Sequence, residues 1–227
     1  MARWSALQIP DVFDYIKYDA IHNHELLGEV ASRLFDTIKP LADFLVPHEY
    51  GIETADKLHI GRTTCELLLR SMWKDLETMK TPLPTEPGQP DPTPRVHIYC
   101  GSESHLQPLR NVLFQSNVVP INCSWDCYNE LNYLTHVVLK LYRYDDADYE
   151  KLKGSPPGPT TEQYYVELDW SPGVIEDVFA MAEEDHALPF VEAFALHPHI
   201  TLDEMHEILV PEQEGVPPPP SANESAE

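Results

Sequence analysis

The stretch Arg95–Phe114, RVHIYCGSESHLQPLRNVLF, constrains the fold of this chain more than any other. Val96, Ile98 and Cys100 alternate with Arg95, His97 and Tyr99, the period-two pattern of a half-buried strand. A strand is therefore expected to stop at Gly101. Beyond Ser104, Leu109, Val112 and Leu113 fall at helical spacing, and Pro108 suits a first helical turn, where its missing N–H has no partner to lose. Strand, polar turn, helix is the expected order. It sets Ser102, Glu103, Ser104 and His105 before a helix N-terminus, whose free N–H groups and dipole favour an anion. Phosphate chemistry suits that position. The residues alone also fit a plainer reading, with Ser104 an N-cap and His105 a first-turn surface residue.

Around this stretch the chain reads as a mixture of helices and strands. Residues 1–19 are expected to be extended. From Glu25, the apolar residues Leu27, Val30, Ala31, Leu34, Phe35 and Ile38 predict an amphipathic helix that breaks near Pro40. Thr54 is the expected N-cap of a second helix whose face carries Leu58, Cys65, Leu68, Leu69, Met72 and Leu76. Residues 81–94 hold six prolines in fourteen positions, which excludes helix and central strand and predicts an exposed, semi-rigid loop. Trp125–Tyr133 reads as helix. His136–Tyr144 and Gln163–Trp170 read as strands that pair antiparallel across a Gly/Pro-rich linker. Residues 174–210 are expected to form an acidic helical extension, with His197-Pro198-His199 a turn and Thr201 opening a short helix in a capping box with Glu204. Residues 211–227, with their run of prolines, are expected to be disordered.

Charge narrows the partners. The chain has 15 Lys and Arg against 38 Asp and Glu, a net charge of −23, so nucleic acid and anionic membrane are expected to be repelled. Residues 1–144 carry 13 basic and 18 acidic side chains, while residues 145–227 carry 2 and 20. The acidic C-terminal half therefore suits a basic protein partner. No segment reaches the roughly 18 consecutive apolar residues of a membrane span, and the four cysteines are sparse and irregular. Buried thiols and a reducing cytoplasm are the expectation. No metal is expected: His22 and His24 are two apart and would point to different faces of a helix, and Cys123 and Cys127 have no second pair.

Read together, several short words resemble one family. Ile9-Pro10-Asp11-Val12-Phe13-Asp14, Lys17-Tyr18-Asp19, His22-Asn23, Pro47-His48-Glu49-Tyr50-Gly51-Ile52, Ser102-Glu103-Ser104-His105, Glu130-Leu131-Asn132-Tyr133 and Ser171-Pro172-Gly173 occur in this order. They are similar to the C-terminal part of the phosphatase domain of the diphosphoinositol pentakisphosphate kinases, which make and break inositol pyrophosphates. The resemblance implies an α/β fold of the histidine acid phosphatase, phosphoglycerate mutase-like type over residues 1–173, with its N-terminal part missing. In that family a nucleophilic histidine lies in an Arg-His-Ala-Asp-Arg motif upstream, and an ATP-grasp kinase domain precedes it. No Arg-His pair occurs in this chain, which is therefore expected to be a C-terminal fragment, inactive alone. ATP and Mg are implied only for the kinase domain, and no cofactor for these residues.

The resemblance also implies roles. His105 aligns with the superfamily's second catalytic histidine, which stabilises the transferring phosphoryl group. Ser102 and Ser104 become phosphate donors, and Lys17, His22 and Asn23 substrate-binding candidates, although Lys17 could equally pair with Asp14 or Asp19. In most relatives an Asp or Ala-Glu after the histidine protonates the leaving group. Here Leu106 follows. A pyrophosphate leaves as a phosphate whose second pKa is about 6 and so needs a weaker acid than an alkoxide does, and Glu103 is the nearest carboxyl. Only Arg95 and Arg110 are close in sequence to this turn, too few cations to bind a dense polyanion tightly.

Overall fold

The computed structural model describes residues 8–81, 95–118, 121, 130–144, 164–174 and 190–210. The expected Pro-rich loop, the linker between the two strands, Cys123, Cys127 and the C-terminal tail lie outside these residues, save Thr81.

Helix α1 spans Ile9–Glu49, so the extended start expected for residues 9–19 is helical instead. Pro10 sits in its first turn, where no N–H is required, and Pro40 and Pro47 are carried inside it. Each internal proline removes one hydrogen bond without ending the helix, because Phe35, Ala42 and Val46 on the same side stay buried. The helix is not straight. The rings of Phe13 and Phe35 lie 5.6 Å apart, whereas 22 residues of straight helix would separate them by about 33 Å. Its course therefore reverses between these residues, and the two arms close on a small core of Phe13, Phe35, Ala42 and Val46.

Helix α2, Thr54–Met79, buries Gly61, Cys65, Leu69, Met72 and Leu76, the expected face, with Glu53 rather than Thr54 as N-cap. It packs on α3, Glu103–Gln115. Gly61 sets their closeness, since a Cβ there would lie 2.7 Å from the Pro108 carbonyl oxygen and 2.8 Å from Val112 Cγ2. Because α3 begins at Glu103, Pro108 stands beyond its first turn. The main core continues into a three-stranded antiparallel sheet of order β1 (His136–Arg143), β2 (Tyr164–Ser171) and β5 (Phe194–Thr201). Leu139 faces Leu168, Leu141 faces Val166 and Val137 faces Trp170, and this side packs against α2, α3 and α4, Leu202–Leu209. On the other side Lys140 pairs with Glu167 at 2.7 Å. A second small sheet joins β3, Gly173–Val174, to β4, Phe190–Val191.

Several sequence expectations are corrected here. Arg95–Cys100 is not a strand. Its polar side chains hold it on α2: Arg95 donates to the carbonyls of Thr78 at 2.9 Å, Thr81 at 2.8 Å and Met79, closing the α2 C-terminus, while His97 and Tyr99 both bind the Asp75 carboxylate. The apolar set points out, with Val96 75% and Ile98 81% exposed. A strand needs neighbouring main chain to pair with, and among the described residues none lies alongside. Cys100 is exposed rather than buried, whereas Cys65 is buried as expected. Glu130–Tyr133 is irregular, not helical; residues 122–129 lie outside the description. His197-Pro198-His199 belongs to β5, whose register shifts beside it absorb the proline. Of the acidic segment expected to be helical, the described residues 190–191 and 194–196 are strand, and the apolar side of β5 enters the main core. The capping box of α4 forms as the spacing predicts: Glu204 N donates to Thr201 Oγ1 at 3.2 Å and Thr201 N to Glu204 Oε2 at 2.8 Å.

Candidate functional site

The N-terminus of α3 gathers three of the expected residues. Ser102 is the N-cap, in extended conformation, and its side chain caps no N–H. Its carbonyl instead accepts from His105 N at 3.0 Å and Leu106 N at 3.2 Å. Its hydroxyl lies 2.7 Å from Ser104 Oγ and 3.2 Å from His105 Nδ1. The groups chain in either polarity, Nδ1–H to Ser102 to Ser104, or Ser104 to Ser102 to Nδ1, the latter leaving the imidazole proton on Nε2. That Nε2–H, beside a helix N-terminus, is a donor suited to an anionic oxygen. His105, Ser102 and Ser104 are all exposed, and the Cys65 thiol, buried and pushed up to about 11 by that burial, donates to the His105 carbonyl at 3.4 Å.

Glu103 faces the other way. Its Oε1 accepts from Gln107 Nε2 at 3.2 Å and from Leu131 N at 3.3 Å, which ties the helix to the 130–135 turn. Lys17 is buried, and its ammonium donates to Glu130 and, at 3.1 Å, to the Leu131 carbonyl. Burial opposes its charge, but Glu130, Glu103 and Asp14 together hold its pKa above the usual lysine value. Burial pushes Glu130 up to about 8, against the pull of Lys17 and with a further push from Glu103. His22 and Asn23 are exposed on α1. The His22 ring lies 6.5 Å from and parallel to that of Tyr18, and Asn23 donates to Asp19 at 3.0 Å. Among the described residues no hydrogen bond joins either to Ser102–His105.

Neither nearby arginine faces this turn as a free cation. Arg110 is buried and donates to Gln107 Oε1, and Arg95 caps α2. Sequence reasoning gave Glu130 and Gln107 no role of their own and counted Arg110 only as a nearby cation; all three are buried and brace the turn from beneath. Glu130 was visible inside a matching word, but only its buried position discloses a bracing part. Ser171-Pro172-Gly173 braces the 130–135 turn: Val174 N donates to the Tyr133 carbonyl at 2.9 Å and Thr135 Oγ1 to that of Pro172 at 2.9 Å.

A turn that presents an imidazole and two hydroxyls at a helix N-terminus, on a mixed α/β scaffold, is consistent with the family match. The family described as the histidine phosphatase superfamily (branch 2) matches residues 3–168, and the chain belongs to it. Within that superfamily it is similar to the inositol hexakisphosphate and diphosphoinositol-pentakisphosphate kinases. The mouse kinase 2 is 32% identical over 205 residues, covering 82% of this chain and 17% of that protein. The Caenorhabditis elegans kinase is 32% identical over 191 residues, 74% of this chain and 14% of that protein. The Saccharomyces cerevisiae kinase is 33% identical over 141 residues, 60% and 11%. The chain thus spans about a sixth of the length of the mouse relative or less of the others. No solved structure matches it. Among the described residues no helix is long and apolar enough to cross a membrane.

Proposed function

We propose that this chain forms one wall of a phosphatase site for inositol pyrophosphates, as the C-terminal part of a bifunctional enzyme acting on inositol hexakisphosphate and diphosphoinositol pentakisphosphate. The observation that carries the reading is the Ser104, Ser102, His105 relay at the α3 N-terminus, in a chain a third identical to those kinases. With Nε2 protonated, His105 donates to the oxygens of the phosphoryl group in flight while the Ser104 and Ser102 protons hold that tautomer; Ser102 and Ser104 donate to phosphate on turning out of the relay, and Glu103 serves as the acid only on leaving Gln107 and Leu131 N. Lys17, His22 and Asn23 are the remaining substrate-side candidates. The attacking histidine comes from another segment of polypeptide, since no Arg-His pair occurs here. The setting is cytoplasmic, with no cofactor bound by these residues and neither nucleic acid nor membrane as partner.

A second reading has its own support. Lys17, Arg95 and Arg110 are all engaged inside the fold, which suits a non-catalytic, phosphatase-like module whose acidic half binds a basic protein. Both readings are tested by giving the purified chain 5-diphosphoinositol pentakisphosphate and measuring released phosphate, with a parallel NMR titration by inositol hexakisphosphate. The expected result is no release, and weak amide shifts confined to residues 102–106 that His105→Ala removes. Phosphate release by the chain alone overturns its dependence on another segment. Saturable binding of a basic polypeptide with no shifts at 102–106 favours the second reading.

A further inference from the structure

Helix α1 runs unbroken from Ile9 to Glu49, yet its course reverses between Phe13 and Phe35, whose rings lie 5.6 Å apart. A reversal of that kind ordinarily falls in a loop of a few residues or at a proline. Between these two phenylalanines the sequence holds no proline and one glycine, Gly28, and no residue leaves the helix. Glu25, Leu26 and Leu27 are strong helix formers. A corner forced on such a sequence without a linker costs helical hydrogen bonds that a straight α1 keeps, and a short hinge under strain invites the exchange of an element between chains. The arm before the corner is held by a few contacts. Phe13 enters the core of Phe35, Ala42 and Val46, and Lys17 donates to Glu130 and, at 3.1 Å, to the Leu131 carbonyl. None of these contacts requires arm and body to belong to the same chain.

We propose that two copies of this chain exchange the first arm of α1, so that Phe13 and Lys17 of each copy take up these contacts on the other. Pairing Phe13 of one copy with Phe35 of the second, and Phe35 with its Phe13, sets two straight α1 helices antiparallel about a twofold axis near His24, midway between the two residues. Each helix of 41 residues is then about 61 Å long. The arm keeps every contact it has now, and only the corner changes. Charge permits the pairing. Each chain carries −23, but the two bodies lie towards opposite ends of the helix pair, and exposed charges further apart than a Debye length of about 8 Å are largely screened. The exchange reaches the α3 turn as well. Leu131 N donates to Glu103 Oε1 at 3.3 Å, and Glu103 is the first residue of α3, so the segment beneath one copy's Ser102–His105 is held by the other copy's Lys17. The dimer does not depend on what that turn binds.

Exchange competes with closure inside one chain, whose effective concentration for a short connection is roughly millimolar. The intact chain is therefore unfolded in urea, refolded at about that concentration, and weighed by light scattering after size exclusion. A species of twice 25.9 kDa is expected, and monomer alone overturns the proposal. Inserting Gly-Gly-Ser-Gly after His24 supplies the missing loop and is expected to return the chain to monomer. A dimer that survives the insertion is held by another surface and overturns the exchange. The origin of the arm is read with Lys17→Met and Glu130→Met. Each variant alone leaves one buried charge without its partner and is expected to unfold at lower urea. Refolded together, they can form a mixed dimer with one native Lys17–Glu130 pair and one apolar pair, which no monomer can have. A midpoint of the mixture above that of either variant is expected, and a curve that is only the sum of the two overturns the exchange.

Discussion

Replacing Gly173 with alanine tests whether the words Ser171-Pro172-Gly173 and Glu130-Leu131-Asn132-Tyr133 act as one brace. Gly173 has φ +81°, and a Cβ there would lie 2.2 Å from the Tyr133 carbonyl oxygen and 2.6 Å from Thr135 N, both main-chain atoms that no rotamer change can move aside. The left-handed conformation costs an L residue about 1–2 kcal/mol. Relieving the overlap also requires the 133–135 backbone to shift by about 1 Å or more, given the normal carbon–oxygen contact distance. That shift breaks the Val174 N to Tyr133 bond at 2.9 Å and the Thr135 Oγ1 to Pro172 bond at 2.9 Å, at about 1 kcal/mol each. The expected loss is about 3–4 kcal/mol in urea unfolding followed by tryptophan fluorescence, for which Trp170, 2% exposed, is a reporter three residues away. Gly101→Ala is the control, since its Cβ meets only His105 Cβ at 3.5 Å, and it should change stability by less than about 0.5 kcal/mol. A Gly173→Ala variant within 0.5 kcal/mol of wild type refutes the brace, whatever the control does.

Glu130 predicts the pH dependence of stability. Its pKa rises from the ordinary 4.5 to about 8 in the fold, so the folded chain keeps a proton that the unfolded chain releases. That contribution is complete below the unfolded value and is lost as pH rises through about 8, at most about 5 kcal/mol in all, and denaturation midpoints of Glu130→Gln should lack the decline. Thr201→Ala removes the hydroxyl that accepts from Glu204 N and should cost about 1 kcal/mol in the same unfolding assay. Ile98→Thr, at an 81% exposed position, should cost under about 0.5 kcal/mol, whereas Leu113→Ala, fully buried, should cost about 2–5 kcal/mol. A large loss at Ile98 would show a packed strand there after all.

Where local chemistry decides the structure, the sequence was legible. The Thr201 and Glu204 spacing predicts a capping box because both partners lie within four residues of one helix end. The strands at 136–143 and 164–171 alternate as they do because one face meets α2, α3 and α4. Arg95–Cys100 fails for the opposite reason: alternation announces two unlike faces, but not which of them finds a partner, and Asp75 with the α2 carboxyl end attracts the polar one. Pro40 misled because local sterics predict a break, while the buried Phe35, Ala42 and Val46 hold the helix across the missing hydrogen bond. For the site, Ser102, Ser104 and His105 were readable as neighbours in sequence. Lys17 and Glu130 are 113 residues apart, and no spacing rule couples them.

These contacts bear on what the turn contributes to any anion. Three basic side chains near it have an internal obligation: Lys17 to Glu130, Arg110 to Gln107, Arg95 to the end of α2. What faces outward is neutral, two hydroxyls and an imidazole at the positive end of a helix dipole. Neutral donors fix the orientation of a phosphoryl group but bind it at roughly half the strength of charged ones. A polyanion approaching a chain of net charge −23 is also repelled at long range. On the function proposed above, geometry is what this turn brings to a phosphoryl group, and affinity would come from cations of another segment.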